Sequence, residues 1–149
     1  LKMKMDIIPV SIAIAQAAKE SGWGTSRFAL EGNAMFGQWT YGEDGIKPKD
    51  SIGKGHKVLK FPMLRSSIMA YQRNLNTHNA YRMLREKRAD LRRKNKKISG
   101  LDLVSYLESY AATGKEYVKI LKTIIDQNNL TDFDNSTLMN ANKESSLTL

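Results

Sequence analysis

Glu20 stands at the end of an almost uncharged run and is followed at once by Gly-Trp-Gly. Residues 13–37 read AIAQAAKESGWGTSRFALEGNAMFG. A carboxylate that closes an apolar run is costly unless it is used or paired. Burial disfavours its charged form and raises its pKa, so the acid holds a proton near neutral pH. Such a proton can be delivered to a leaving-group oxygen. Gly22 and Gly24 carry no side chains, which lets a bulky substrate approach closely. On residue type alone the alternative has equal weight: Glu20 as a helix C-terminal residue paired with Arg27 or another base.

The elements that must position Glu20 follow from periodicity. Pro9 opens a helix in its first turn. Ile12, Ile14, Ala15, Ala17 and Ala18 are apolar on nearly every side, so this helix is central and buried, to about Ser21. Gly22 and Gly24 end it. Thr25 or Ser26 caps a short helix through about Leu30, closed by Gly32. Residues 33–39 read as a turn and a short extended piece, and residues 41–45 as a turn cluster. Residues 47–54 are a loop. The alternation at residues 56–61 predicts a strand, which pairs with residues 36–39 in a small hairpin-like lobe. Pro62 introduces the next helix, with Ser66 or Ser67 near its cap, to about Thr77. His78 or Asn79 starts another, with Tyr81, Leu84 and Leu91 on its apolar side. After a break at residues 95–100, Leu101, Val104 and Leu107 lead along a helix to Tyr110. Gly114 breaks it, and Tyr117, Ile120, Leu121, Ile124 and Ile125 mark a strongly amphipathic helix. The sum is an α+β fold, mostly α-helical, with a small β lobe inserted between helices. Residues 1–134 form one domain and residues 135–149 a polar tail.

The chain has 149 residues, 41% of them hydrophobic, enough for one domain with a real core. It has no cysteine, which excludes disulfides, Cys metal sites and a Cys nucleophile. Two histidines, His56 and His78, lie too far apart in sequence for a zinc site, so neither metal nor cofactor is expected. No apolar run reaches the roughly 20 residues of a bilayer span. The formal net charge of +9 points to an anionic partner. Residues 82–97 concentrate it: Arg82, Arg85, Lys87, Arg88, Arg92, Arg93, Lys94, Lys96 and Lys97 against Glu86 and Asp90. On a helix these spread over a broad face, either simply solvated or attracted to an anionic wall polymer or membrane. A nucleic-acid face is disfavoured, because no aromatic side chains interleave with the run.

The segment from Pro9 to Asn33, PVSIAIAQAAKESGWGTSRFALEGN, resembles the bacterial peptidoglycan endo-β-N-acetylglucosaminidase family. Phe36-Gly37, Phe61, Ser67-Ile68, Ala70-Tyr71, Tyr110-Ala111 and Tyr117-Val-Lys-Ile120 continue the likeness. The variant Gly-Asn-Ala-Met-Phe-Gly-Gln-Trp, with Asn74-Leu-Asn-Thr-His78, is similar to the Bax-like branch of that family. The resemblance spans residues 8–125. It implies a lysozyme-like fold and cleavage of the β-1,4 bond after N-acetylglucosamine in peptidoglycan glycan strands. It also implies Glu20 as general acid, with Tyr110 lining the site beside the reacting sugar or its acetamido group. The implied location is the cell envelope, with a signal sequence not in this chain, and the expected state is a monomer. Two rivals stand beside it: a lytic transglycosylase or muramidase on the same scaffold, and a basic module that holds glycan or nucleic acid without cutting it.

The chain departs from the family pattern where a second asparagine is common, at Ala34. Glycosidases generally use two carboxyl groups, about 5–5.5 Å apart for retention and wider for inversion. The lobe offers Glu43, Asp44 and Asp50, with Glu43 ranked first. The other candidate for the second role is the substrate's own acetamido group. Trp23, Trp39 and Tyr41 have flat apolar faces for stacking on sugar, whereas Phe36 reads as core. Asn33 and Gln38 are candidates to hydrogen-bond acetamido or hydroxyl groups.

Overall fold

The computed structural model describes residues 2–48 and 56–137. It is a mostly α-helical α+β fold, consistent with the lysozyme-like arrangement that the resemblance implies. No helix among the described residues is long and apolar enough to cross a membrane.

Helix α1 (Val10–Ser21) runs through the centre, with Ile12 and Ala15 fully buried. It packs on helix α6 (Lys115–Gln127), helix α5 (Gly100–Leu103) and a 3-10 turn at Leu130–Asn135. The core is completed by Leu75, Leu84, Leu103, Leu107, Leu121 and Ile125. Gly22 ends α1 in the left-handed conformation, as a C-terminal glycine does. Trp23 and Gly24 continue at φ 58° and 79°. A left-handed tryptophan costs on the order of 1–2 kcal/mol, and two bonds from the end of α1 hold the turn. Trp23 N–H donates to Ala18 O at 2.8 Å, and Gly24 N–H to Ser21 Oγ at 2.7 Å.

Ser26 caps helix α2 (Arg27–Gly32) by accepting from Ala29 N–H at 3.2 Å. The β lobe has three strands rather than two: β1 (Trp39–Thr40), β2 (Gly45–Ile46) and β3 (Lys57–Leu59). Their order is β1-β3-β2, all antiparallel, with Trp39 opposite Val58 and Gly45 opposite Leu59. Strand β2 lies at the edge of the expected turn cluster, and two residues carry no period to read.

Helix α3 (Leu64–Thr77) begins without a side-chain cap, at Met63. Neither Ser66 nor Ser67 caps it. Ser67 is buried and its Oγ accepts from Met35 N–H at 3.3 Å, joining α3 to the segment before the lobe. A 3-10 turn, Asn79–Tyr81, is capped by His78, whose Nδ1 accepts from Ala80 N–H at 3.2 Å. Helix α4 (Arg82–Arg93) follows. The expected helix up to Tyr110 divides into α5 and a 3-10 stretch, Val104–Tyr110.

The basic run is less of a solvated face than its sequence implies. Arg88 is 0% exposed. Its guanidinium donates to Ile7 O at 2.6 Å, Met3 O at 2.8 Å and Asn76 Oδ1 at 2.7 Å, and pairs with Asp6. Arg85 is also buried, donating to Leu75 O and His78 O. The apolar side of α4 therefore carries two arginines inward, because backbone carbonyls wait there for donors. Arg92 pairs with Asp6, Arg82 with Glu86, and Arg93 and Lys94 with Asp90.

The last residues before the expected tail are tied into the fold. Asp134 lies at the N-termini of two helices. Its carboxylate accepts from Ser11 N–H and Ser11 Oγ, both at 2.9 Å, from Gly100 N–H at 2.8 Å and from Ser99 Oγ at 3.2 Å. The tail expected over residues 135–149 lies outside the described residues from position 138 onward.

Candidate active site

A cleft of about 380 Å³ opens between the end of α1 and the β lobe. Glu20 and Gly37 form its floor. Gln38, Trp39 and Leu59 line the lobe side, and Asn74, Tyr81 and Tyr110 line the helical side. Among the described residues Glu20 is the one carboxylate in this lining.

The environment of Glu20 raises its pKa, chiefly through burial. A hydrogen bond from Tyr117 and the charge of Lys19 act the other way. The carboxyl faces Gly37, which has φ 59°. A Cβ there would sit 3.2 Å from Glu20 Oε2. Gly37 is thus required twice, for its left-handed backbone and for the carboxyl's room. Gly37→Ala should lower stability by about 1–2 kcal/mol from the backbone alone and should displace the carboxyl, which would slow any reaction that relies on it. A thermal melt read alongside the rate separates the two effects, and wild-type behaviour in both would show that neither constraint holds.

Around the carboxyl stands a wall of tyrosines. Tyr110 donates its hydroxyl to Phe36 O at 2.9 Å. Its ring stacks on Tyr117, with centroids 5.7 Å apart and planes within 3°. Burial first, then the Glu20 charge, pushes both phenols well above their ordinary range, so both remain neutral donors. Tyr81 is raised by burial against a hydrogen bond with Asn74. Behind Glu20, Gln16 Nε2–H donates to Tyr117 Oη at 2.8 Å, and Tyr71 donates to Gln16 Oε1 at 2.8 Å. Opposite, Gln38 Oε1 is buried and has no hydrogen-bond partner among the described residues. A carboxyl whose pKa is raised by burial, a neutral phenol and an unpaired amide oxygen around one groove suit a hydroxyl- and amide-bearing ligand.

Residues 1–130 match the glucosaminidase family, described as mannosyl-glycoprotein endo-beta-N-acetylglucosaminidase. The chain belongs to the glucosaminidase family. It is 35% identical over 127 residues to Protein bax of Escherichia coli (strain K12), an alignment that covers 84% of this chain and 44% of that protein. The chain thus spans less than half the length of this curated relative. No solved structure matches it at a significant level.

Within this glucosaminidase domain, Glu20, Tyr110, Gln38 and Trp39 come together in the cleft. The other expected site residues do not. Asn33 is the left-handed C-cap of α2, and its Nδ2–H donates to Phe61 O at 3.0 Å, so its side chain ties helix to lobe. Trp23 is 62% exposed and outside the lining, because the left-handed turn carries it away from Glu20. Tyr41, 86% exposed, and Glu43 lie on the outer turn between β1 and β2. Neither lines the cleft: Trp39, itself 57% exposed, borders it, and the turn that follows stands in solvent. Asp44 is exposed on the same turn, and Asp50 lies outside the described residues. Sequence reasoning missed Asn74, Tyr81 and Gln16. Gln16 left a usable signal: one amide in an apolar helix, one turn before the acid.

Proposed function

We propose that this domain hydrolyses the β-1,4 bond after N-acetylglucosamine in peptidoglycan, with Glu20 as general acid. The observation that carries the reading is a carboxyl raised by burial, the one carboxyl lining the groove among the described residues, in a glucosaminidase-family chain. Protonated Glu20 gives its proton to the glycosidic oxygen as the bond to C1 breaks. Tyr110 and Gln38 flank that position, and the unpaired Gln38 Oε1 suits an acetamido N–H. Trp39 and Tyr81 supply ring faces for the sugars.

The second role falls to the substrate's acetamido oxygen, which attacks C1 and is later displaced by water. Glu43 on its outer turn does not support the two-carboxylate alternative. The place of action is the cell envelope. Lys96 and Lys97, exposed and without an ion pair among the described residues, would add attraction to an anionic wall.

Incubation with purified peptidoglycan, followed by mass analysis of the released muropeptides, tests the reading. The expected products end in reducing N-acetylglucosamine. Products ending in 1,6-anhydromuramic acid would make the domain a lytic transglycosylase, and no release at all would remove the enzyme reading.

A further inference from the structure

Gln16 is 0% exposed and lies one helical turn before Glu20 on α1. Residues four apart on a helix share a face; Gln16 Nε2–H donates to the hydroxyl of Tyr117 on α6, and the charge of Glu20 acts on that same hydroxyl. A phenol has one hydrogen to give. Which neighbour receives it depends on what Gln16 presents. A side-chain amide has a donor end and an acceptor end, and the surroundings decide between them.

Tyr71 makes that decision. It is 1% exposed, stacked on Phe36 with ring centroids 4.0 Å apart, and donates its hydroxyl to Gln16 Oε1. With the amide oxygen held by Tyr71, the amide nitrogen faces Tyr117 and donates to its oxygen. The hydrogen of Tyr117 is then free for Glu20. Reversing the amide would leave the buried Tyr71 hydrogen without an acceptor, a loss of about 1–3 kcal/mol. The hydrogens thus run one way, Tyr71 to Gln16 and Gln16 to Tyr117, and the Tyr117 hydrogen is left over.

We propose that Gln16, anchored by Tyr71, is a positioning residue that points the Tyr117 hydrogen at one oxygen of Glu20 and so leaves the other oxygen to carry the transferable proton into the cleft. The carboxyl is boxed in to match. Gly37 leaves it just enough room, Lys19 and Tyr110 are its other charged or titratable neighbours, and the rest of the network is neutral. Without the pin a carboxyl can rotate its proton away from the groove, which costs rate without weakening binding.

The inference rests on Glu20 being the acid, so the test has a readout that does not need turnover. Tyr117→Phe, Gln16→Met and Tyr71→Phe are compared with wild type in two ways. One is the carbon-13 titration of the Glu20 carboxyl by NMR, and the other is kcat and KM on peptidoglycan fragments across pH. A lost hydrogen bond to the carboxylate raises its pKa, by about one unit for a bond worth about 1.4 kcal/mol. Tyr117→Phe should show the full upward shift, Gln16→Met a smaller one and Tyr71→Phe the smallest. The high-pH limb of the rate profile should move up in the same order. In Gln16→Met, kcat should fall about tenfold with KM unchanged, the equivalent of about 1.4 kcal/mol. A shift in Tyr117→Phe alone, with the other two at wild-type values, would overturn the proposal and leave Gln16 as packing. Tyr71→Phe removes a single oxygen, so it serves as the folded comparison if Gln16→Met is unstable. If wild type cuts nothing while the carboxyl titrations keep their order, the catalytic reading falls and the positioning chain stands. If wild type cuts and the titrations coincide, the chain falls and the acid stands.

Discussion

Glu20→Gln is expected to release muropeptides about 10²–10⁴-fold more slowly than wild type, with KM little changed. The amide keeps the size and polarity of the acid and can still accept from Tyr117, but it has no proton to give. In the wild type the rate should fall as pH rises past the raised pKa of the carboxyl, since only the protonated form is the acid. Stability moves with it. A carboxyl whose pKa is higher in the folded than in the unfolded chain contributes its full stability below its unfolded pKa. That contribution is lost as pH rises to the folded value. The window therefore starts in the ordinary glutamate range and ends at the raised one. Glu20→Gln has no such titration, so at neutral pH it should be at least as stable as wild type while nearly inactive. A variant that cuts as fast as wild type would remove Glu20 from the role of acid.

Arg88→Met should destabilise the domain by about 3–5 kcal/mol, the usual effect of deleting one partner of a buried ionic cluster. Methionine fills much of the volume, so the loss is chiefly polar. Met3 O, Ile7 O and Asn76 Oδ1 would each lose a donor, and Asp6 one of its two arginines. Arg88→Lys should rescue only part, because an ammonium cannot span carbonyls and a carboxylate as the planar guanidinium does. The midpoint of urea unfolding reads the effect, and a shift below about 1 kcal/mol would show that the cluster is dispensable. Asp6 adds a pH signature. Burial would raise its pKa, but the hydrogen bonds from Arg92 and Ile7 N–H and the charges of Arg88 and Arg92 carry it below its usual range. Its contribution is therefore present above the ordinary aspartate range and lost as pH falls through the lowered value. Arg88→Met should flatten that acid limb.

Helices with a strong period and a glycine stop were legible in the sequence. Helix α1 has apolar residues on nearly every side and Gly22 behind it, and α6 carries its apolar face at regular spacing. Strand β2 was not legible, since two residues beside a turn have no pattern. Arg85 and Arg88 misled because charge predicts solvent, whereas unfilled carbonyls on a neighbouring segment drew both inward. The site divided in the same way. Glu20 and Tyr110 sit in helical frames whose direction a period reveals. Trp23, Tyr41 and Glu43 sit on turns, where residue type says what a side chain can do but not which way it faces. Asn33 illustrates the gap most plainly: the amide suited to a sugar is spent on a neighbouring carbonyl.

Asp134 bears on how the molecule is made. Helix α1, which carries Glu20, receives its N-terminal carboxylate from a residue 123 positions away in the chain. A domain emerging from the ribosome at about 5–20 residues per second would expose α1 many seconds before that partner appears. For that interval the Ser11 N–H would have only water to bind, and the Gly100 N–H, made later, waits 34 residues for the same carboxylate. The groove would gain its fixed floor only once this turn has emerged and docked across the start of α1. A nascent chain arrested at position 130 would contain every cleft residue yet lack the clasp that holds α1 to α5.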